Sequence, residues 1–350
     1  FRPSALGWAA RAGVALLPAA LVLWFPLTQD GTDVTRFTEA VTFAVIGLSL
    51  NVLIGYAGQI SLGHQAFVGV GAFTSAYVVS VQRSPFALAL LAAVVVGGLQ
   101  AAALGAVSLR IRGLYFALVT LSYGVMAEAT LFNIESLTGG QAGQPAPLPA
   151  GFDTPHRYYY LCLALLGAVV WVDVRMMRTK AGRALLAVRE NPRVAATFGI
   201  DVRLSTLLAF TVSGVFAALG GALYAHNSGF VVSVPFNFRL ALVFLIMTTV
   251  GGLRSRAGVI VASAFFALLG YLIDRSGLET LVLDAIPGAP DLTKEVAPFV
   301  LGPVLLLLTL TVFPGGIGQL LRPVQRWLAG GRFDAPAVAV GEPPAPDARA

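Results

Sequence analysis

The chain has 350 residues, of which 57% are hydrophobic and only 11% charged, with a formal net charge of +6 and a mean hydropathy of +0.81. Soluble domains carry about 25% charged residues, so this composition excludes an ordinary water-soluble globule and points to a chain built for lipid. The basic surplus does not indicate nucleic acid, because Arg and Lys are dispersed among loops between apolar runs and no nucleic-acid motif accompanies them.

Apolar runs recur at 12–27, 37–54, 64–81, 86–109, 113–132, 157–174, 205–225, 238–253, 257–273 and 296–313. Many are near the ~20 residues a helix needs to cross a bilayer, so we expect an all-α, polytopic membrane protein of about ten transmembrane helices. The expected division is a first helix group over 1–175, a polar segment over 176–204, a second helix group over 205–329 and a disordered Ala/Pro-rich tail over 330–350. With the N-terminus inside, alternate loops place Arg2, Arg11, Arg110, Arg112, the polar segment, Arg254, Arg256, Arg322, Arg326 and Arg332 on one face, with Arg175 at the sixth helix's inner end. The other face receives Arg36, Arg83, Arg157, Arg239, Arg275 and Lys294. That bias makes the first face cytoplasmic.

The N-terminal FRPSALGWAARAGVALLPAALVLWFP has a basic flank and a short apolar core, but no small-residue cleavage pattern follows Pro26. A retained first helix is expected, and the lack of an initial Met suggests a trimmed chain. The lone Cys162 lies in an apolar run and reads as a packing residue.

From Leu48 to Ser80, Gly55, Gly58, Gly63, Gly69 and Gly71 are too many for a strong water-exposed helix. In a membrane, small residues allow close backbone approach and interrupted helices can line a polar site. Two readings stand: a tight turn over 55–63 followed by a closely packed helix, or a translocation path that includes Gln59, Ser61 and His64. Glu128, in the outer half of the run that follows, is an intramembrane carboxylate, either part of that path or an interfacial residue with a neighbouring partner.

The outer loop SLTGGQAGQPAPLPAGFDTPHR is rich in Gly and Pro and should be irregular. Its His156 has no second His or Cys at ligand spacing, so it is read as a loop residue and no metal site is expected. Beyond the polar segment, Ala217, Gly221 and Ala225 recur every four residues beside Gly214, Ala218 and Ala222, which is a helix-packing face. The acidic stretch Asp274 to Glu295 is either a solvated loop or a docking surface for a basic partner.

The polar segment, MMRTKAGRALLAVRENPRVAATFGIDVR from Met176 to Arg203, carries Arg178, Lys180, Arg183, Arg189, Arg193 and Arg203 against Glu190 and Asp201. Ala184, Leu185 and Val188 form an apolar stripe, and Asn191-Pro192 can cap and start a short helix, Pro192 to Phe198, closed by Gly199. By itself this is either a topology-fixing basic loop or a rigid projection that meets a partner.

Four blocks in order, LNVLIGYAGQISLGHQAFVGVGAF, GLYFALVTLSYG with SLTGGQAG, GRALLAVRENPRVAATFGID and VGGLRSRAGVIVASA, resemble the permease subunits of ABC importers for branched-chain amino acids, over about Thr42 to Leu320. The resemblance implies a bacterial inner-membrane protein that works with a second permease subunit, cytoplasmic ATP-binding subunits and an extracytoplasmic substrate-binding protein, surrounded by membrane lipid. It also implies that Arg189, Glu190, Asn191, Pro192, Arg193, Ala195 and Gly199 form the coupling segment that meets the ATPase. The family pattern there is Glu-Ala-Ala, three residues, then Gly; the Ala195 to Gly199 spacing matches, while Arg193 and Val194 depart from it. No Gly-x-x-x-x-Gly-Lys-Ser/Thr loop occurs, so ATP would be hydrolysed elsewhere, and no cofactor or catalytic residue is expected. Permeases for urea or short amides share this resemblance. An ion-coupled secondary transporter or a structural membrane subunit is the alternative outside it.

Overall fold

The computed structural model describes residues 20–111, 113–276, 303–304, 306–307, 311 and 315–328. Apolar runs become helices here because in lipid every backbone N–H and C=O must be satisfied internally. In chain order these are α1 (Gly31–Leu50), α2 (His64–Ser80), α3 (Phe86–Ser108), α4 (Leu114–Ala129), α5 (Pro155–Arg178), α6 (Lys180–Glu190), α7 (Pro192–Thr197), α8 (Val202–Ser228), α9 (Phe238–Gly251), α10 (Arg256–Ser276) and α11 (Ile317–Leu328). α1 runs on without a break into a π-helical turn, Asn51–Tyr56.

Among the described residues, six helical stretches are long and apolar enough to cross a membrane: Gly31–Tyr56, Phe86–Ser108, Tyr115–Asn133, Pro155–Arg178, Val202–Ser228 and Arg256–Ile273. α2 and α9 are shorter, at 17 and 14 residues. Together these cover the expected spans from 37–54 to 257–273, whereas half of 12–27 and most of 296–313 lie outside the described residues. The tail over 330–350 and the acidic stretch beyond Ser276 also lie outside them.

The helix ends follow from local chemistry. Thr154 caps α5 by accepting from the Arg157 amide, Pro155 supplies the fixed φ of a first helical residue, and Arg175 and Arg178 meet the negative end of the dipole. His156 therefore lies in the first turn of α5, correcting its reading as a loop residue, and faces the Gln29 carbonyl across 3.2 Å. The Gly/Pro-rich loop before it is more ordered than expected. It holds a helical turn, Glu135–Thr138, and a two-residue strand, Gln144–Pro145, paired antiparallel with Phe230–Val231. The loop folds because Thr138 donates to the Phe132 carbonyl and His226, at the end of α8, bonds the Pro147 carbonyl through Nδ1 at 2.7 Å.

α1 and α8 are central: 83% of the most apolar window of α1 is buried, against 28% for α3 and α5, which present large apolar side chains outward. α8 packs on α2 and α3 through the small-residue face expected from sequence, with Ala217, Ala218, Ala222 and Ala225 fully buried. Between α2 and α8 the backbones touch at two positions. A Cβ on Gly71 would run into the Ala218 carbonyl, and one on Gly221 into the Val68 carbonyl. Where no water is squeezed out between helices, such contact supplies dispersion energy and holds them together.

Candidate functional site

One end of the bundle carries nearly all the charge of the polar segment, and two short helices stand there. α6 begins at Lys180 and buries Leu185 and Val188 of the expected stripe together with Gly182, while Ala184, the third member of that stripe, is only half-buried. Asn191 ends α6 and caps α7, its Oδ1 accepting from the Arg193 and Val194 amides at 3.0 and 3.2 Å. Pro192 occupies the first helical position of α7, and Ala195 is its one buried residue. Gly199 then turns the chain with φ +76°, a left-handed conformation suited to glycine, and Asp201 caps α8 through the Arg203 and Leu204 amides. Two large apolar side chains stand outward at α7, beside the exposed Arg193 and Thr197: Phe198 is 81% and Val194 49% exposed. Lone exposed hydrophobes are unremarkable, but a pair on a capped, rigid turn is a contact surface in form.

Charged side chains tie this projection to the bundle. Arg189 donates to the Gly55 carbonyl in the π-helical turn, and Glu190 pairs with Arg254 between α9 and α10. Arg254 reaches the same Gly55 carbonyl through Nε, while its own amide donates to Asn51 Oδ1 at 2.9 Å. Arg254 holds the Glu190 carboxyl below its ordinary value through a hydrogen bond and charge. Burial, then the charge of Arg254, lowers the Arg189 guanidinium. Beside them, buried Asp173 near the end of α5 accepts from Arg256 Nε and from the Tyr56 hydroxyl. Sequence reading missed Asp173 and gave Arg254 and Arg256 only a topological part. The available signal was a carboxylate inside an apolar run, facing two arginines that follow a Gly-Gly turn.

Deeper, at the junction of α1 and α2, lies a polar cluster. His64 Nε2 and Ser49 Oγ are 2.6 Å apart, and Ser49 Oγ also donates to the Ile46 carbonyl. One hydroxyl proton cannot serve both, so with Ile46 taking it Ser49 accepts from His64 and leaves Nδ1 as an acceptor. His64 Nδ1, Ser61 Oγ, both polar atoms of the Gln65 amide and Asn51 Nδ2 are buried with no hydrogen-bond partner among the described residues. Gln59 is half-buried in the same connection, its amide bonded to the Leu53 carbonyl. Glu128 is not part of this group. It sits half-buried at the far end of α4, where its carbonyl accepts from Asn133. The structure thus brings Ser61 and His64 together and leaves Glu128 apart. Among the described residues no cluster of His, Cys, Asp or Glu is placed to hold a metal.

The family model described as the permease component of branched-chain amino acid transport systems matches residues 34–308. The chain belongs to that family. The permease is 31% identical over 282 residues to the high-affinity branched-chain amino acid transport system permease protein LivM of Escherichia coli, covering 71% of this chain and 65% of the relative. It is 28% identical over 206 residues to the galactose/methyl galactoside import permease protein MglC of the same organism, covering 53% and 61%. A probable branched-chain amino acid transport permease protein LivM of Methanocaldococcus jannaschii is 23% identical over 86% of this chain and 93% of its own. The chain spans just under two thirds of the LivM proteins of Escherichia coli and Salmonella typhimurium, at 65% and 66% of their lengths. No solved structure matches it.

Proposed function

We propose that the permease is a membrane-spanning subunit of an ATP-driven importer of branched-chain amino acids in a bacterial inner membrane, its basic end facing the cytoplasm. The observation that carries this reading is the α6–α7 projection, a capped pair of helices with an apolar tip and with arginines bonded to the backbone of the bundle. A cytoplasmic ATPase subunit receives the tip at Val194 and Phe198. Its closure moves α6, and Arg189 and the Glu190–Arg254 pair carry that movement to the end of α1 and to the connection between α9 and α10. The buried cluster of Ser61, His64 and Gln65 lies beside that moving end, where unpaired polar atoms suit a path that is closed in one state and hydrated in another. A second permease subunit completes the path, and an extracytoplasmic binding protein delivers the substrate.

The test is uptake of labelled leucine by cells with and without this gene, with unlabelled valine, isoleucine, urea and galactose as competitors. Loss of uptake on deletion, with competition by valine and isoleucine alone, is the expected result. Unchanged leucine uptake refutes the substrate assignment. Competition by galactose favours a hydrophilic solute, the second reading that the match to a galactoside permease supplies.

A further inference from the structure

At the end of the bundle opposite the α6–α7 projection, a half-open cavity of about 280 Å³ lies between α1, α8, α9 and α10. It is just under the ~300–1,000 Å³ range of small-molecule pockets, which is the scale of a solute no larger than an amino acid. Its lining divides sharply by chemistry. Arg36, Glu39 and Arg239 stand at the rim with Asn237, while Phe43, Leu240, Val243 and Phe266 form an apolar floor. Phe43, Val243 and Phe266 are themselves buried, so the floor is part of the protein core and fixed in place.

The spacing of α1 explains the arrangement. Arg36, Glu39 and Phe43 fall at i, i+3 and i+7, one helical face, so two charges and an aromatic ring descend in a single line. Arg36 and Glu39 form a loose ion pair, 3.9 Å apart with side chains 38% and 25% exposed. A charge-assisted bond at optimum is about 2.7–2.9 Å, so this pair is open to exchange with the charges of a ligand. A guanidinium presents a planar fork that matches a carboxylate, and a carboxylate beside aromatic faces suits an ammonium. A neutral polyhydroxylated solute would bring no charge to complement this rim and would set its hydroxyls against a dry floor.

We propose that this cavity binds a zwitterionic amino acid with an aliphatic side chain as it enters the permease. The α-carboxylate lies on Arg36 and Arg239, the α-ammonium faces Glu39, and the side chain rests on Phe43, Val243 and Phe266. The assignment deepens the importer reading and depends on it.

The experiment uses the assembled importer, with both permeases, the ATPases and the binding protein, in membrane vesicles. Ala267→Cys, which lines the cavity, and Val234→Cys, at its exposed rim, are labelled with a membrane-impermeant maleimide; the native Cys162 is fully buried and does not compete. Leucine at millimolar concentration should slow labelling at both positions several-fold. Isoamylamine, which lacks the carboxylate, and galactose should protect much less. Arg36→Gln and Arg239→Gln should abolish protection, and Arg36→Lys should restore part of it. Leucine import by the wild type with labelling unaffected by leucine would overturn the assignment and leave the importer reading standing. Protection that survives in the Arg36→Gln, Arg239→Gln double variant would overturn it equally. If the wild type imports no leucine, the importer reading fails, and the ligand assigned here fails with it.

Discussion

Gly221→Ala, a change of one methyl group, tests whether α2 and α8 touch backbone to backbone. At an unhindered helix position this substitution stabilises, by up to about 0.8–1.0 kcal/mol from helix propensity. At Gly221 the added Cβ meets the carbonyl group of Val68, backbone that cannot rotate aside, so α2 and α8 must separate. Overpacking a close-packed interior costs typically ~1–3 kcal/mol, and rigid backbone on both sides puts this site near the upper end. The net expectation is a loss of about 1–2 kcal/mol, a five- to thirtyfold change in the folding equilibrium. Gly167 supplies the control, because it lies in α5 with nothing within 4 Å of a Cβ, and Gly167→Ala should hold or gain stability. Unfolding midpoints of the two variants in mixed detergent micelles should therefore move in opposite directions. If Gly221→Ala raised the midpoint as Gly167→Ala does, the backbone contact between α2 and α8 would be refuted.

Asp173→Ala strands the Arg256 guanidinium. Breaking a fully buried pair costs about 3–5 kcal/mol, but Arg256 is 30% exposed, so roughly 1–3 kcal/mol is expected here. A double-mutant cycle with Arg256→Ala should return a favourable interaction, and additive losses would show that the pair contributes nothing. Phe198→Asp, at the exposed tip of the α7 turn, should leave folding unchanged and abolish co-purification of the ATPase subunit; undiminished recovery of that subunit would remove Phe198 from the contact. Gly199→Trp has open space around it, so its cost to folding is the φ of +76°, about 1–2 kcal/mol. It should insert normally yet hydrolyse ATP without uptake, and normal uptake would count against the coupling role of this segment. Arg254 depresses the Glu190 carboxyl below its usual value near 4.5, so the stability it contributes is present above that pH and lost as pH falls through the lowered value. The stability difference between wild type and Glu190→Gln should accordingly be constant from pH 6 to 8 and vanish well below pH 4; a difference that changed between pH 6 and 8 would assign the titration to another group.

The helices were legible because their signals are local. Apolar runs set their positions, Asn191-Pro192 and Gly199 bounded α7, and the four-residue recurrence of small side chains marked the face of α8 that packs. What sequence could not give was the company each polar residue keeps. Asp173 and Arg256 are 83 residues apart, and nothing periodic joins them. Gln59, Ser61, His64 and Glu128 are equally conspicuous as polar residues within or between apolar runs, yet α4 carries Glu128 to the far end of its span while the others share the junction of α1 and α2. The ordered loop before α5 also escaped notice, because Thr138 and His226 stabilise it through side chains that reach backbone carbonyls.

The Gly55 carbonyl receives both Arg189 and Arg254, and a main-chain acceptor has a genetic consequence. No substitution at position 55 can delete that oxygen, and a side chain there would crowd the Asn51 amide oxygen first and the Arg254 main-chain nitrogen next. A screen for variants that fold but fail to respond to ATP should therefore collect lesions at Arg189, Glu190 and Arg254 and return none at Gly55 that insert normally. On the α1 side the bond from Arg189 has no allele of its own, and Asn51, whose side chain holds the Arg254 amide, is the position there that a substitution can reach.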